Sequence, residues 1–125
     1  RILKVTPSGS MSVFAGGTDG YLDGTGTSVK FYKPSKMVID SNDNLYVADS
    51  YNRIRKITPS AVVTTLAGPT SQSPNGMSAD GYVDGTGPDA RFSWRSSVNV
   101  SLAIDSNNNL YVGERGARIR KVTTN

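Results

Sequence analysis

Val38-Ile39-Asp40-Ser41-Asn42-Asp43-Asn44-Leu45-Tyr46-Val47-Ala48-Asp49-Ser50 is an apolar run, a polar Asx-rich turn and a second apolar run. Arg53-Ile54-Arg55-Lys56-Ile57-Thr58 follows it. That order reads as a β-hairpin and then a third strand. The stretch returns 65 residues later as Ala103-Ile104-Asp105-Ser106-Asn107-Asn108-Asn109-Leu110-Tyr111-Val112, and then as Arg118-Ile119-Arg120-Lys121-Val122-Thr123. A repeated hairpin that cannot bury its own faces is the mark of a stacked or radial array.

Working outward, Arg1-Ile2-Leu3-Lys4-Val5-Thr6 repeats residues 53–58 at an offset of 52. Ser12-Val13-Phe14-Ala15-Gly16 repeats Thr64-Thr65-Leu66-Ala67-Gly68 at the same offset. Both pairs alternate, and each is joined by a Pro-led turn, so each reads as two antiparallel strands. A Gly- and Asp-rich loop follows at 17–26 and recurs at 80–87. The second loop is preceded by extra Pro, Ser, Gln and Asn residues at 69–79, which predict a surface excursion.

The expected plan is then nine strands in three units. Residues 1–16 end a first unit with its third and fourth strands. Residues 17–68 are a complete unit with its leader loop, its strands near 36–40, 44–48, 53–58 and 62–67. Residues 69–125 are a last unit without its fourth strand, its strands near 98–104, 109–113 and 117–123.

Composition sets the bounds. The 125 residues hold 14 Lys and Arg against 10 Asp and Glu, a net charge of +4. That excess is mild for a dedicated nucleic-acid binder. Thirteen Gly and six Pro fit frequent turns and short strands. The absence of Cys removes disulfides, thiolate metal sites and a Cys nucleophile. The absence of His removes the commonest general base and zinc ligand. No apolar run approaches the roughly 20 residues of a membrane-spanning helix.

Several spaced motifs now agree in order. They are Phe31-x-x-Pro34, the Val38 to Ser50 stretch, Asn52-Arg53-Ile54-Arg55-Lys56-Ile57-Thr58-Pro59, and Thr64-Thr65-Leu66-Ala67-Gly68. With the Asp-Gly-x-x-Asp-Gly-Thr-Gly leader and Asp89-Ala90-Arg91-Phe92, they resemble the NHL repeat in its long form. The resemblance covers nearly the whole chain. It implies an all-β fold of consecutive four-stranded antiparallel β-propeller blades, one complete and two partial. The last unit departs from the pattern. Phe92 lacks its Pro, Glu114 replaces Asp49, and Gly116-Ala117 replaces Tyr51-Asn52. A closed propeller takes about four to eight blades. The expected partners are therefore other blades of the same parent chain, or other subunits. Ring closure by copies of this chain would supply the third strand twice, so a longer parent is the preferred reading.

Candidate sites follow. Asp19, Asp23, Asp80 and Asp84 put carboxylates into the leader loops, where Ca²⁺, a hard cation that prefers oxygen ligands, is the candidate. The spacing is not that of an EF-hand and no Glu closes it, so turn capping is preferred and no cofactor is expected. Asp40-x-Asn42-x-Asn44 and Asp105-x-Asn107-x-Asn109 are read as hairpin turns. Arg53, Arg55, Lys56, Arg118, Arg120 and Lys121 would line a basic stripe if stacked. Some NHL domains bind RNA on such a face, and steep salt dependence would reveal it. Local pairing of Asp49 with Arg53 and of Glu114 with Arg118 is preferred, so nucleic acid is not the expected partner. Tyr46 and Tyr111 are read as packing residues. Tyr51 and Trp94, with neighbouring Arg95, are candidate contacts to a protein partner. Asn99-Val100-Ser101 is a glycosylation sequon.

The preferred function is a non-enzymatic interaction or structural module, a segment of a larger NHL-repeat protein in an extracellular or cell-surface setting. The first alternative is an RNA-binding propeller. The second is part of a propeller lyase, which the resemblance implies would use His on the ring axis, supplied here by other blades.

Overall fold

The computed structural model describes residues 1–70, 81–94 and 100–124. Strands β1 (Ile2–Val5) and β2 (Met11–Ala15) pair as a hairpin. A five-stranded sheet holds β3 (Gly24–Thr25), β4 (Met37–Ile39), β5 (Leu45–Asp49), β6 (Arg53–Ile57) and β7 (Val62–Ala67), in the order β3-β7-β6-β5-β4. A three-stranded sheet holds β8 (Ser101–Ile104), β9 (Leu110–Glu114) and β10 (Arg118–Val122), in the order β10-β9-β8. All neighbours are antiparallel. The fold is all-β: consecutive four-stranded blades, one complete (β4 to β7) and two partial. Strand β3 is a departure from the sequence reading, which placed Gly24 and Thr25 in a loop. It pairs with β7 and covers the edge of the complete blade, where open backbone groups would otherwise recruit another chain.

One turn chemistry builds the hairpins. In Asp40–Asn44, Asp40 N–H donates to Asn44 O and Asp43 sits at φ 63°. In Thr58–Val62, Thr58 N–H donates to Val62 O and Ala61 sits at φ 63°. Thr6–Ser10 follows the same plan with Gly9 at φ 85°, and Asp105–Asn109 with Asn108 at φ 62°. A tight turn followed by one left-handed residue fixes the register of each strand pair. Asp40 seals its turn. Its Oδ1 accepts from the N–H groups of Asn42 and Asn44, and its Oδ2 from Asn44 Nδ2 and the Tyr46 hydroxyl. Asp105 repeats the pattern with Asn107, Asn109 and Tyr111. These are hairpin turns, as the sequence implied.

Alternation along each strand then gives every blade two faces. In the complete blade, Val47, Ile57 and Val63 pack with Ile2 and Ala15 of the preceding unit and with Val29 and Phe31 of the blade's own leader segment. Tyr46, Ala48, Ile54 and Ala67 pack with Phe92, Trp94, Leu110 and Val112 of the following one. The inner strands β4 and β8 lie side by side, and their turns touch, Asn108 Nδ2 donating to Ser41 Oγ at 3.0 Å. The repeat makes the consequence of stacking measurable. Ile54 is fully buried, while its equivalent on the last sheet, Ile119, is 79% exposed. Leu3, Val5 and Val13 are exposed in the same way on the outer face of the first hairpin.

Candidate functional site

Strand β6 carries the chemistry. Its odd positions face the preceding unit, and there Arg53 and Arg55 are buried. Arg55 is held at both terminal nitrogens. Nη1 donates to Asp49 Oδ2 at 3.0 Å and to Lys30 O at 3.2 Å. Nη2 donates to Leu22 O at 3.0 Å and to Asp23 Oδ1 at 2.7 Å. One guanidinium thus ties the leader loop to the blade, a task suited to a planar group with five donors. Asp23 does more. Its Oδ2 accepts the Thr65 N–H at 2.9 Å and its Oδ1 the Thr65 hydroxyl at 3.2 Å, so it also fixes β7. Asp49 Oδ1 accepts the Tyr32 N–H at 2.9 Å. Burial pushes the Asp49 carboxyl up to about 6, against the opposing pull of Arg55 and the Tyr32 N–H.

The last unit repeats this clamp. Arg120 Nη1 donates to Glu114 Oε1 at 2.8 Å and to Arg91 O at 3.1 Å. Arg120 Nη2 donates to Val83 O and pairs with Asp84 at 2.6 Å. Glu114 Oε2 accepts the Ser93 N–H where Asp49 accepts that of Tyr32. Glu114 replaces Asp49 without loss of the pattern.

These contacts revise several sequence readings. The hydrogen-bonded ion pairs of Asp49 and Glu114 are with Arg55 and Arg120, while the expected Arg53 acts on Asp49 through its charge. The nearest residue along the turn is not the nearest guanidinium in space, because Arg55 lies diagonal to Asp49 on the same face. Arg53 instead lies over the Tyr21 ring at 3.8 Å and donates from Nε to the Pro69 carbonyl. Arg118 lies over Tyr82 at the same separation. The basic stripe is not assembled. Arg53 and Arg55 are interior, and Lys56 and Lys121 point to the opposite face of their strands from Arg55 and Arg120. Asp23 and Asp84 carry guanidinium groups, while Asp19 is exposed and apart from them. Among the described residues no three metal-ligating side chains converge. Asp80, Arg95 and Asn99 lie outside the described residues.

Trp94 is also corrected: it is fully buried. Its indole N–H donates to Asp49 O at 3.0 Å and its backbone N–H to Asn52 Oδ1 at 2.9 Å. It joins the last unit to the complete blade and is no surface anchor. The extra residues of the last unit gave no sign of this in sequence, since a Trp in a loop reads as exposed. Tyr51 keeps a surface position. It is half-buried and stacked on Tyr32, with ring centres 4.2 Å apart and planes at 14°. The Lys33 ammonium lies 5.3 Å from the Tyr32 ring. Ser50 locks the pair, its N–H donating to Tyr32 O and its hydroxyl to Lys33 O. The Tyr32 contact was not legible because its partner Tyr51 is 19 residues away in sequence; only the Phe31-x-x-Pro34 motif hinted at an ordered turn.

The family model of the NHL repeat matches residues 31–53, the segment that contains the stacked tyrosines and the start of β6. No curated protein matches the chain. Solved structures do. A structural genomics protein of unknown function from Bacteroides thetaiotaomicron is 26% identical over 95% of this chain and 28% of its own, with a TM-score of 0.77. A putative phosphatase from the same organism is 29% identical over 91% of this chain and 26% of its own, with a TM-score of 0.70. An auxiliary nutrient binding protein from Bacteroides ovatus is 25% identical over 97% of this chain and 31% of its own, with a TM-score of 0.69. The chain therefore spans less than a third of the length of these proteins.

Proposed function

We propose that an NHL-repeat chain of this build serves as a non-enzymatic binding module within a larger propeller, and that the Tyr32–Tyr51 face is where it meets its partner. The carrying observation is the stacked pair itself. Two half-buried aromatic rings, fixed from below by Asp49 and Ser50 and flanked by Lys33, form a rigid platform that costs little side-chain entropy to use. The charged groups of the interior are, by contrast, engaged in holding loops to strands. The similarity to proteins named auxiliary nutrient binding proteins supports a ligand-binding role. The RNA reading loses its basic stripe, since Arg53 and Arg55 are interior.

Peptide display on the whole chain, counter-selected against a Tyr32→Ala/Tyr51→Ala variant, tests this. Peptides that bind the parent sequence and lose at least tenfold on the variant, at unchanged secondary structure, support it. Peptides that bind both forms equally overturn it. Turnover of p-nitrophenyl phosphate that disappears on substituting Asp23 or Asp84 would favour the enzyme reading, given the similarity to a protein named a putative phosphatase.

A further inference from the structure

Among the described residues, Tyr32 and Tyr51 are the one pair of tyrosine rings in contact, stacked with centres 4.2 Å apart and planes at 14°. The other four tyrosines are engaged elsewhere. The faces of Tyr21 and Tyr82 carry the guanidinium groups of Arg53 and Arg118 at 3.8 Å. The hydroxyls of Tyr46 and Tyr111 donate to Asp40 and Asp105. Both residues of the stack are half-buried.

The pair is fixed from both backbones. The Tyr32 N–H donates to Asp49 Oδ1 at 2.9 Å, and Tyr32 O accepts the Ser50 N–H at 3.0 Å. The hydroxyl of Ser50, the residue before Tyr51, donates to Lys33 O at 2.9 Å. Burial, and then the Tyr32 phenol beside it, raise the Tyr51 hydroxyl above its ordinary range. The Tyr32 phenol acts in part through a hydrogen bond, so the stack is head to head. Lys33 and Arg53 stand 5.3 Å and 5.7 Å from the rings of Tyr32 and Tyr51. Positive charge at that range disfavours a ring radical cation and favours loss of the electron together with the phenol proton.

We propose that Tyr32 and Tyr51 are an oxidative cross-linking site, joined as a dityrosine by a one-electron oxidant such as a peroxidase ferryl haem. Two oxidising equivalents are consumed. Each phenol gives up one electron and its proton and becomes a neutral phenoxyl radical. The unpaired electron occupies orbitals perpendicular to the ring, so stacked rings meet through the lobes that form the bond. One C–C bond forms between ortho carbons. The two ortho hydrogens pass to the oxygens as the rings regain aromaticity. The sum is the loss of two protons and two electrons. Fixed stacking replaces the chance encounter of two radicals, which is the advantage of holding reacting atoms in place. The bond closes a 19-residue span between the leader segment and the β5–β6 turn, in a chain with no Cys to do so. The inference rests on ring geometry and does not depend on the pair meeting a partner.

The whole chain, irradiated with ruthenium(II) tris(bipyridyl) and persulfate as the one-electron oxidant, tests this. The monomer fraction is expected to gain the blue fluorescence of dityrosine. Proteolysis is expected to yield a peptide pair, residue 32 joined to residue 51, lighter by two hydrogen atoms than its parts. Tyr32→Phe and Tyr51→Phe keep a stacked ring and remove one phenol. Each is expected to lower the dityrosine yield in the monomer about tenfold. The cross-linked chain is expected to unfold at a higher urea concentration than the untreated chain. A parent chain whose monomer forms no dityrosine overturns the inference, and so does a yield unchanged in both variants. Dityrosine found only between molecules, or mapped to Tyr21, Tyr46, Tyr82 or Tyr111, overturns it as well. A cross-linked chain with an unchanged urea midpoint overturns the bond's role as a staple.

Discussion

Arg55 Nη1 donates to Asp49 Oδ2 at 3.0 Å, and both side chains are fully buried. A buried pair of this kind is weak evidence for net stability, but removing one partner strands the other charge. Among the described residues Arg55 Nε meets no hydrogen-bond acceptor, so the pair is not fully satisfied there. What it does secure is position: the same guanidinium reaches the leader loop through Leu22 O and Asp23.

Arg55→Met is therefore expected to destabilise the chain by about 3–5 kcal/mol, leaving Asp49 unpaired. Arg120→Met is expected to cost less: it also leaves buried Glu114 unpaired, but Arg120 is itself partly exposed and its Asp84 partner lies in water, where an ion pair is worth about 0–1 kcal/mol. Urea denaturation of the two variants checks the order. Equal losses would mean that burial does not distinguish the two clamps.

The same pair sets a pH dependence. The Asp49 carboxyl is pushed up to about 6 by burial, from an ordinary value of 3.8. The folded chain thus binds a proton that the unfolded chain has released, between about pH 4 and pH 6. Stability from this group is full below that window and is lost as pH rises through it. Asp40 has the opposite sign. Burial raises it, but hydrogen bonds from Asn44, Asn42 and Tyr46 outweigh burial and lower it, so its contribution is lost as pH falls. Thermal unfolding should show Asp49→Asn flattening the decline across about pH 4 to 6, and Asp40→Asn flattening the fall on the acid side. A uniform shift of Tm by Asp49→Asn at every pH would contradict this.

Trp94 is the single tryptophan, which makes its burial easy to read. Its fluorescence is expected to be blue-shifted and resistant to acrylamide. Trp94→Ala should cost about 3–5 kcal/mol as a large-to-small core change. Trp94→Phe should cost less, keeping the ring against Phe92 and losing the bond to Asp49 O, worth about 0.5–1.5 kcal/mol. An emission maximum typical of solvent-exposed indole would return Trp94 to the surface.

How much of this could be read in advance follows from range. The hairpins were legible because their causes are local. Asp40, Asn42 and Asn44 satisfy one another within a single turn, and alternation from Val62 to Ala67 gives the bounds of β7 directly. The repeat itself exposed the open faces, since Ile119 copies a buried Ile54. The clamp was not legible. Asp23 meets Arg55 across 32 residues, and proximity along the chain favoured Arg53 for Asp49. Strand β3 was hidden for a related reason: a two-residue strand has no period of its own, and only β7 beside it makes it a strand.

The turns offer a last test, because two of them use the wrong residue for their backbone. Ala61 at φ 63° and Ala117 at φ 62° hold left-handed conformations, which bring Cβ against the following carbonyl and cost roughly 1–2 kcal/mol for an L-residue. At the equivalent turn of the first unit the chain has Gly9, at φ 85° with open space where a Cβ would stand, and in place of Ala117 the complete blade has Asn52. Ala61→Gly relieves the strain and also loosens the unfolded chain, so the net gain is smaller, about 0.5–1 kcal/mol. Ala117→Asn keeps a side chain suited to that backbone and avoids the entropic cost of Gly. Both single variants should raise the urea midpoint without changing the slope, and the double variant should be additive, since the two turns belong to different sheets. A loss of stability in Ala61→Gly would show that the Thr58 to Val62 turn is held by something other than its left-handed residue.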